Sequence, residues 1–417
     1  MNFDVFESYE SNVRSYCRSF PAVFHHAKDS LLHDEAGKAY IDFFAGAGAL
    51  NYGHNNAFIK SQIIEYLAQD GVIHSLDMHT SAKGRFLETF ARFMRDKNLD
   101  YKIMFCGPTG ANAVEAAMKL ARKIKQRSTI FSFMGGYHGL SLGSLAATSN
   151  SYHRGAAGIS LSGVTFMPYP SRFHTEIDTL AYLEDVLSDP LSGVERPAAI
   201  IFETVQAEGG VIVAPIPWMQ RLRAICDQYD ILLICDDIQV GCGRTGPFFS
   251  FERAGIVPDM VTLSKSISGY GFPMSLLLMR SDNDIWSPAE HTGTFRGFQL
   301  AIVGATAALE YFTQENIPAQ VQAKGQAIQR YVTEEILPLC PDIQVRGLGM
   351  IWGLDFSQVK RTAITRSIVA CCFEHGLIIE STGREDSVLK ILPPLTISHE
   401  QLIQGCQIIK EAITRSL

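Results

Sequence analysis

The sequence predicts an α/β fold, in which a mainly parallel sheet is covered on both faces by helices and a smaller α+β unit follows. Three observations carry this. Short apolar runs alternate with helical patterns through the middle of the chain. Those runs are apolar throughout rather than at every second residue, as strands buried on both faces require. The chain has 417 residues, which suits one large domain plus a smaller one rather than one simple module.

The elements follow in order. The first 50 or so residues carry no linker composition and are expected to pack with the small unit. Tyr101–Cys106 reads as a strand. Asn112–Gln126 has Ala113, Ala116, Ala117, Leu120, Ala121 and Ile124 at helical spacing. Ile130–Met134, Ala198–Glu203, Ile231–Asp236, Met260–Ser264 and Ser275–Met279 read as further strands. Pro217–Asp230 reads as a helix with proline at its start. In the last third, Arg346–Phe356 reads as one glycine-interrupted strand. Ala363–His375 reads as a helix stopped at Gly376, Ile378 and Ile379 lie in a short strand, and Ser398–Ser416 is a final helix. The expected division is 1–50, an N-terminal segment joined to the small unit; 51–295, the large domain; and 296–417, the small α+β domain.

Composition excludes several function classes. Hydrophobic residues make up 47% and charged residues 19%, which argues against wholesale disorder. The net charge of −7 argues against nucleic acid as a partner. No apolar run approaches the ~20 residues of a spanning helix, so no membrane association is expected. The first ten residues show no basic stretch followed by an apolar one, so no signal peptide is expected and a cytoplasmic location is. The nine cysteines are scattered, with no Cys-x-x-Cys pair. That pattern points to neither a zinc site nor a disulfide framework, and no metal is expected.

Two tempting motifs are discounted. Gly241-Cys-Gly-Arg-Thr-Gly246 matches the dinucleotide fingerprint, but Pro247, Phe248 and Phe249 follow it instead of a helix. A turn carrying a functional Arg244 is the better reading. Gly139-Leu-Ser-Leu-Gly143 matches a hydrolase elbow, yet it lies several residues past its strand. Ser141 is better read as a helix start.

Four other features gain weight together. Gly107-Pro-Thr-Gly-Ala-Asn112 lies between a strand and a helix, where unpaired N–H groups and the positive dipole end suit a phosphate. Taken alone, it is also consistent with an ordinary capped turn. Asp236-Asp237-Ile238-Gln239 sits at the carboxyl end of an apolar strand, where open α/β sheets bind ligands. Adjacent carboxylates point to opposite sides of an extended chain, so one enters the cleft and the other pairs elsewhere. Lys265 follows a buried strand among small residues, where desolvation lowers an amine's pKa and makes it a nucleophile toward carbonyls. Tyr137 and His138 lie in a glycine-rich loop, where an aromatic ring can stack on a cofactor. A phosphate cup, a stacking ring, a carboxylate and a lysine are the set that pyridoxal phosphate needs.

From about residue 20 to the C-terminus the chain resembles the class III, or ω-, aminotransferases of fold type I. The segments that carry this are Gly107–Glu115, Tyr137-His-Gly139, Glu203–Gly210, Asp236–Gln239, Gly243-Arg-Thr-Gly246, Ser264-Lys265, Gly293-Thr-Phe295 and Pro393–Ile397. Within the class it is similar to the branch that exchanges amino groups between L-2,4-diaminobutyrate and 2-oxoglutarate, ectoine-pathway members included. Val13–Pro21, Tyr40–His54, Leu76–Thr80 and Ser264–Gly271 carry that likeness.

The resemblance implies a seven-stranded, mainly parallel sheet, a pyridoxal 5′-phosphate cofactor and a homodimer or dimer of dimers. It implies that Lys265 holds the cofactor covalently, that Asp236 pairs with the pyridine nitrogen and that Ile238 packs on the ring face opposite Tyr137. Gln239 contacts the 3-oxygen, and Thr109, Gly110 and Ala111 bind the phosphate, with Thr294 reaching the phosphate of the other subunit. Glu203 lies close to the reacting amine. For the substrate carboxylate, Lys390 stands where many members have arginine, with Glu208 as its switchable partner and Arg244 or Arg384 as the next candidates. Two further departures are Asp237, where the class has glutamate, and Ala207, where it has glycine. Rival readings are another ω-aminotransferase acting on 4-aminobutyrate, ornithine or acetylornithine, a non-catalytic member of the fold, and a serine hydrolase built on Ser141.

Overall fold

The computed structural model describes residues 3–171 and 177–417. Its centre is a seven-stranded sheet. The strands lie in the order Tyr101–Phe105, Leu276–Arg280, Met260–Leu263, Leu232–Asp236, Ala199–Phe202, Ile130–Phe133 and Val164–Met167. Only Leu276–Arg280 runs against its neighbours, so six strands share one direction. Ala199–Phe202, Leu232–Asp236 and Met260–Leu263 are buried at every position, as their apolar runs predict.

Parallel strands need crossovers, and these are helices with one buried stripe. The helix Gly110–Lys125 buries Ala113, Val114, Ala117, Leu120 and Ala121 against Ile130, Ile201 and Ile234. Its many alanines let it lie close on the sheet. Leu120→Ala would open a cavity there and cost about 2–5 kcal/mol. The helix Ile216–Gln228 begins at a proline pair, Pro215 capping and Pro217 in its first turn. Because the six strands point one way, the loops after Phe105, Phe133, Phe202, Asp236 and Leu263 all open on one edge of the sheet.

The last third corrects one expectation. Arg346–Phe356 is not one strand but an antiparallel hairpin, Gln344–Leu348 with Ile351–Asp355. The glycines decide this. Gly349 takes φ +57° at the turn, and a Cβ there would meet Arg244 O at 2.6 Å. Val388–Ile391 and Glu380–Thr382 complete this four-stranded antiparallel sheet. The helices Ile364–Glu374 and His399–Ser416 pack on each other, the second capped by Ser398.

A third sheet ties the chain's two ends. Phe24–Lys28, Leu31–Asp34 and Ala39–Asp42 form an antiparallel set, and Leu377–Ile378 joins its last strand in parallel. Ser266 Oγ then donates to Gly48 O at 2.7 Å and accepts from the Asn51 amide at 3.1 Å. The N-terminal segment is thereby bound to the loop that follows Met260–Leu263.

Candidate active site

The strand-end loops enclose a cavity of about 460 Å³. Asp236 is the last residue of its strand and 4% exposed. Its Oδ1 accepts from Thr262 Oγ1 at 3.1 Å and from the Ile238 amide at 3.2 Å. Its Oδ2 lies 2.7 Å from His138 Nδ1. The carboxylate is thus fixed in direction by three groups and still lines the cavity. Asp237 turns the other way, as alternation along a strand requires. It accepts from the Ser250 amide at 3.0 Å and from Ser250 Oγ. Burial pushes its carboxyl up to about 7.

Lys265 follows Ser264 with φ +53° and starts a short 3₁₀ turn. A positive φ in a lysine is backbone strain held by its surroundings. Ser264 Oγ, donating to Met274 O at 2.7 Å, and Ser266, bonded to the N-terminal segment, hold the two flanks. The lysine lines the cavity, and burial lowers its pKa despite the nearby Glu208 carboxylate. That is the condition for an amine to attack a carbonyl.

Thr109, Gly110 and Ala111 form the cavity's far wall, at the N-terminus of the sixteen-residue helix. Thr109 caps that helix, accepting from the Asn112 amide at 3.3 Å. Gly110 has no room for a side chain, since a Cβ would lie 2.9 Å from Ile238 Cδ1. Tyr137, Ile238 and Gln239 also line the cavity. Glu203 lies just past its strand and accepts from the Tyr137 amide at 3.2 Å. Burial first, and then the Asp236 charge, hold its carboxyl well above the usual range.

Glu208, a cavity residue, opens a second cluster. Its Oε1 accepts from Lys390 Nζ at 2.6 Å and from Gln239 Nε2 at 3.1 Å. Its Oε2 accepts from Thr382 Oγ1 at 3.2 Å. Burial alone would raise this carboxyl, but Lys390 and Lys265 outweigh it and hold it at about 2. Lys390 is wholly buried. Burial works against its charge, yet Glu208 and Glu380 raise its pKa above the ordinary value.

The structure does not bring every expected residue here. Arg244 is fully buried, but its guanidinium donates to Met350 O, Pro393 O and Asn51 Oδ1, joining three segments outside the cavity. Arg384 is exposed on a turn after Glu380–Thr382, and Thr294 is exposed on the loop before Gln299–Gln314. Ser141 caps the short helix Leu142–Ala147, and its Oγ donates to Glu115 at 2.9 Å, with no histidine bonded to it among the described residues. Ala207 packs its methyl with Val205, Val211 and Val240.

Three residues of the site escape the sequence reading. Glu380 and Thr382 reach the cluster only through strand register. Tyr16 approaches from the N-terminal segment, with its ring 4.9 Å from Phe44. Tyr16 is half exposed, and its partial burial, then the Glu380 and Glu208 charges, raise its phenol.

The residues present fit pyridoxal phosphate. A desolvated lysine, an oriented carboxylate, a helix N-terminus with a glycine at close approach and an aromatic ring share one cavity. Known proteins agree with this geometry. Residues 14–413 match the family Aminotransferase class-III. A protein from Bordetella parapertussis named diaminobutyrate–2-oxoglutarate transaminase is 52% identical, covering 100% of this chain and 96% of that protein. One of the same name from Streptomyces coelicolor is 50% identical, covering 99% and 98%. Among solved structures, a Bacillus anthracis aminotransferase superposes with a TM-score of 0.89 at 24% identity, covering 99% of this chain and 98% of that one. The ornithine aminotransferase of Toxoplasma gondii superposes at 0.87 and 24%, covering 99% and 94%. Those last two likenesses concern the fold, whereas the family match and the half-identical relatives span the whole chain. This chain belongs to the class III aminotransferases.

Proposed function

We propose that this chain moves the terminal amino group of L-2,4-diaminobutyrate to 2-oxoglutarate, giving L-aspartate 4-semialdehyde and L-glutamate, and runs the reverse. The observation that carries this is the pair of Glu208, which lines the cavity that holds Lys265 and Asp236, with Lys390 buried directly behind it. The relatives about half identical over full length support the choice of substrates.

Pyridoxal phosphate, when bound, carries the amino group between the two substrates and serves as the electron sink. Lys265 would hold its aldehyde carbon and Asp236 its ring nitrogen. Thr109, Gly110 and Ala111 would hold the phosphate, joined by Thr294 of the partner subunit. Tyr137 and Ile238 would flank the ring, His138 orients Asp236, and Gln239 would reach the 3-oxygen. Lys265 Nζ, freed by the incoming amine, takes the proton from the substrate's reacting carbon. Burial lowers its pKa, which favours the neutral amine.

The pocket must accept two different groups at one place. Glutamate carries a carboxylate on the reacting carbon, and diaminobutyrate carries hydrogen there. With diaminobutyrate, Glu208 stays on Lys390. With glutamate, Glu208 moves aside and Lys390 receives the carboxylate. A buried charge without a partner is costly, so each state keeps Lys390 paired. Glu203, whose carboxyl burial and then the Asp236 charge hold well above the usual range, would lie beside the reacting amine.

The test is a donor panel, with each half-reaction followed separately through the cofactor's absorbance. L-Glutamate and L-2,4-diaminobutyrate should both convert the loaded enzyme, and 4-aminobutyrate, ornithine and acetylornithine far less. Lys390→Ala should weaken the glutamate half-reaction by roughly 10- to 100-fold, the scale of one charged hydrogen bond. The diaminobutyrate half should change much less. Equal losses would make Lys390 structural and overturn the switch.

Further parts of the proposal concern setting. A homodimer, or a dimer of such dimers, is supported by the exposed apolar residues Ile64, Val72, Leu76, Met78 and Phe295. A cytoplasmic location is supported by the cysteines, seven of which are buried as free thiols. Ectoine synthesis is one route that would consume the diaminobutyrate made in the reverse direction.

A further inference from the structure

The cluster around Lys390 holds one carboxylate more than the exchange requires. Glu208 alone would balance the ammonium. Glu380 is there as well, with Oε1 2.9 Å from Lys390 Nζ. It is not a loose neighbour. Glu380 and Lys390 are directly opposed across the antiparallel pair Glu380–Thr382 and Val388–Ile391, so the backbone ladder fixes their separation. On the other side Lys390 faces Gly353, where a Cβ would meet Val211 at 2.9 Å. The lysine runs past Glu380 to Glu208, with its Nζ at both carboxylates.

Two carboxylates, Glu380 buried and Glu208 partly open to the cavity, share one buried ammonium, with Lys265 the other cation acting on them. Burial accordingly raises the Glu380 carboxyl, with Lys390 only partly offsetting it. A group this unfavourable in the observed state is accounted for by another state, the one in which Glu208 has moved. A lysine is a point charge on a flexible four-carbon stem. With Glu208 as its sole partner it would follow that side chain out of place, and an incoming carboxylate would find no anchor. An arginine fork is stiffer and has less need of a second support.

We propose that Glu380 is a positioning residue that keeps Lys390 Nζ in place behind the cavity wall while Glu208 is displaced, so that glutamate and 2-oxoglutarate meet a fixed cation. This rests on the reading that Lys390 receives their carboxylate, and deepens it. In the resting state the ammonium fills two acceptor places, Glu208 Oε1 and, at 3.4 Å, Gln239 Oε1, and it is ion-paired with Glu380 Oε1 at 2.9 Å without a hydrogen bond between them. When Glu208 leaves, the substrate carboxylate takes the vacated one, and Glu380 stays.

The test uses the cofactor-loaded enzyme and Glu380→Gln, which keeps the shape and removes the charge. Two readouts are needed: single-turnover conversion by each donor, and calorimetric binding of glutarate, a dicarboxylate that cannot react. The apparent Kd for L-glutamate and the Kd for glutarate should each rise about tenfold. Saturation by L-2,4-diaminobutyrate should shift far less, because Glu208 stays on Lys390 there. Glu380→Asp should recover part of the lost affinity. Equal losses with both donors, no loss with either, or an aspartate variant as weak as the glutamine one would each overturn the inference. Lys390→Ala separates the two levels of the argument. If it leaves glutarate binding intact, the anchor reading itself fails. If it abolishes binding while Glu380→Gln does not weaken it, only the role of Glu380 falls.

Discussion

Asp236 and Asp237 are neighbours in sequence and opposites in function. Asp236 faces the cavity with His138, Thr262 and the Ile238 amide around it. Asp236→Asn would remove the charge that the proposed function sets against the cofactor's ring nitrogen, an interaction worth about 1.5–3 kcal/mol. Turnover should fall at least roughly 10- to 100-fold with the fold intact, and an unchanged kcat would sink the assignment. Lys265→Ala should abolish turnover, as measured by conversion with either donor. Asp237 is different, since its carboxyl rises from 3.8 unfolded to about 7 folded. A raised acid contributes stability that is complete below the unfolded value and lost as pH climbs through the folded one. The wild type should therefore lose stability on this account between about pH 4 and 7, and Asp237→Asn should not. The difference in Tm, variant minus wild type, should move in the variant's favour across that window. A slope of the opposite sign would show that the Ser250 contacts, not burial, govern this carboxyl. The chemistry at Asp236, Lys265 and Thr109 was legible because each sits at a strand end or helix start that the apolar pattern reveals. Glu380, Thr382 and Tyr16 carry no such mark.

Elements show where pattern reading stops. The buried strands of the central sheet were legible, since runs such as Leu232–Asp236 are apolar at nearly every position. The three strands between Phe24 and Asp42 were not, because Phe-His-His-Ala-Lys has neither alternation nor burial and is held by pairing alone. The Gln344–Asp355 hairpin was read as one strand because Gly347, Gly349 and Gly353 look alike in sequence and differ only in space. Gly349 makes the turn, with φ +57° and Arg244 O in the way of any Cβ. Gly353 leaves room for Val211 beside Lys390. Gly349→Ala should then destabilise by about 1–3 kcal/mol from strain at positive φ, and more from the contact. The check is a drop in Tm, with the Arg244–Met350 backbone link as the first casualty. An unchanged Tm would mean the turn can shift. The same sheet, through its neighbouring pair of strands Glu380–Thr382 and Val388–Ile391, supplies the register that sets Glu380 against Lys390.

At the scale of the whole molecule the open question is where one site ends and the next begins. Thr294 does not line the cavity that holds Lys265 in its own chain. It is exposed beside Phe295, which is 64% exposed, and the nearby Arg296 is paired with Asp77 in a segment rich in exposed apolar residues. Large apolar side chains gathered on one surface mark an interface. A two-fold dimer through this face would carry each Thr294 to the other subunit's phosphate cup, so each site would be built from both chains. Mixing distinguishes this from a self-contained site. Suppose Lys265→Ala subunits are mixed with Thr294→Ala subunits and allowed to exchange. In a hybrid with shared sites, one site carries both defects and the other carries neither. Random pairing makes half the dimers hybrid, each with one intact site in two, so activity should recover to about a quarter of wild type. With self-contained sites every site keeps one defect, and mixing yields only the average of the two parent variants. Hybrids shown to form by mass, with activity no higher than that average, would place Thr294 in the service of its own subunit.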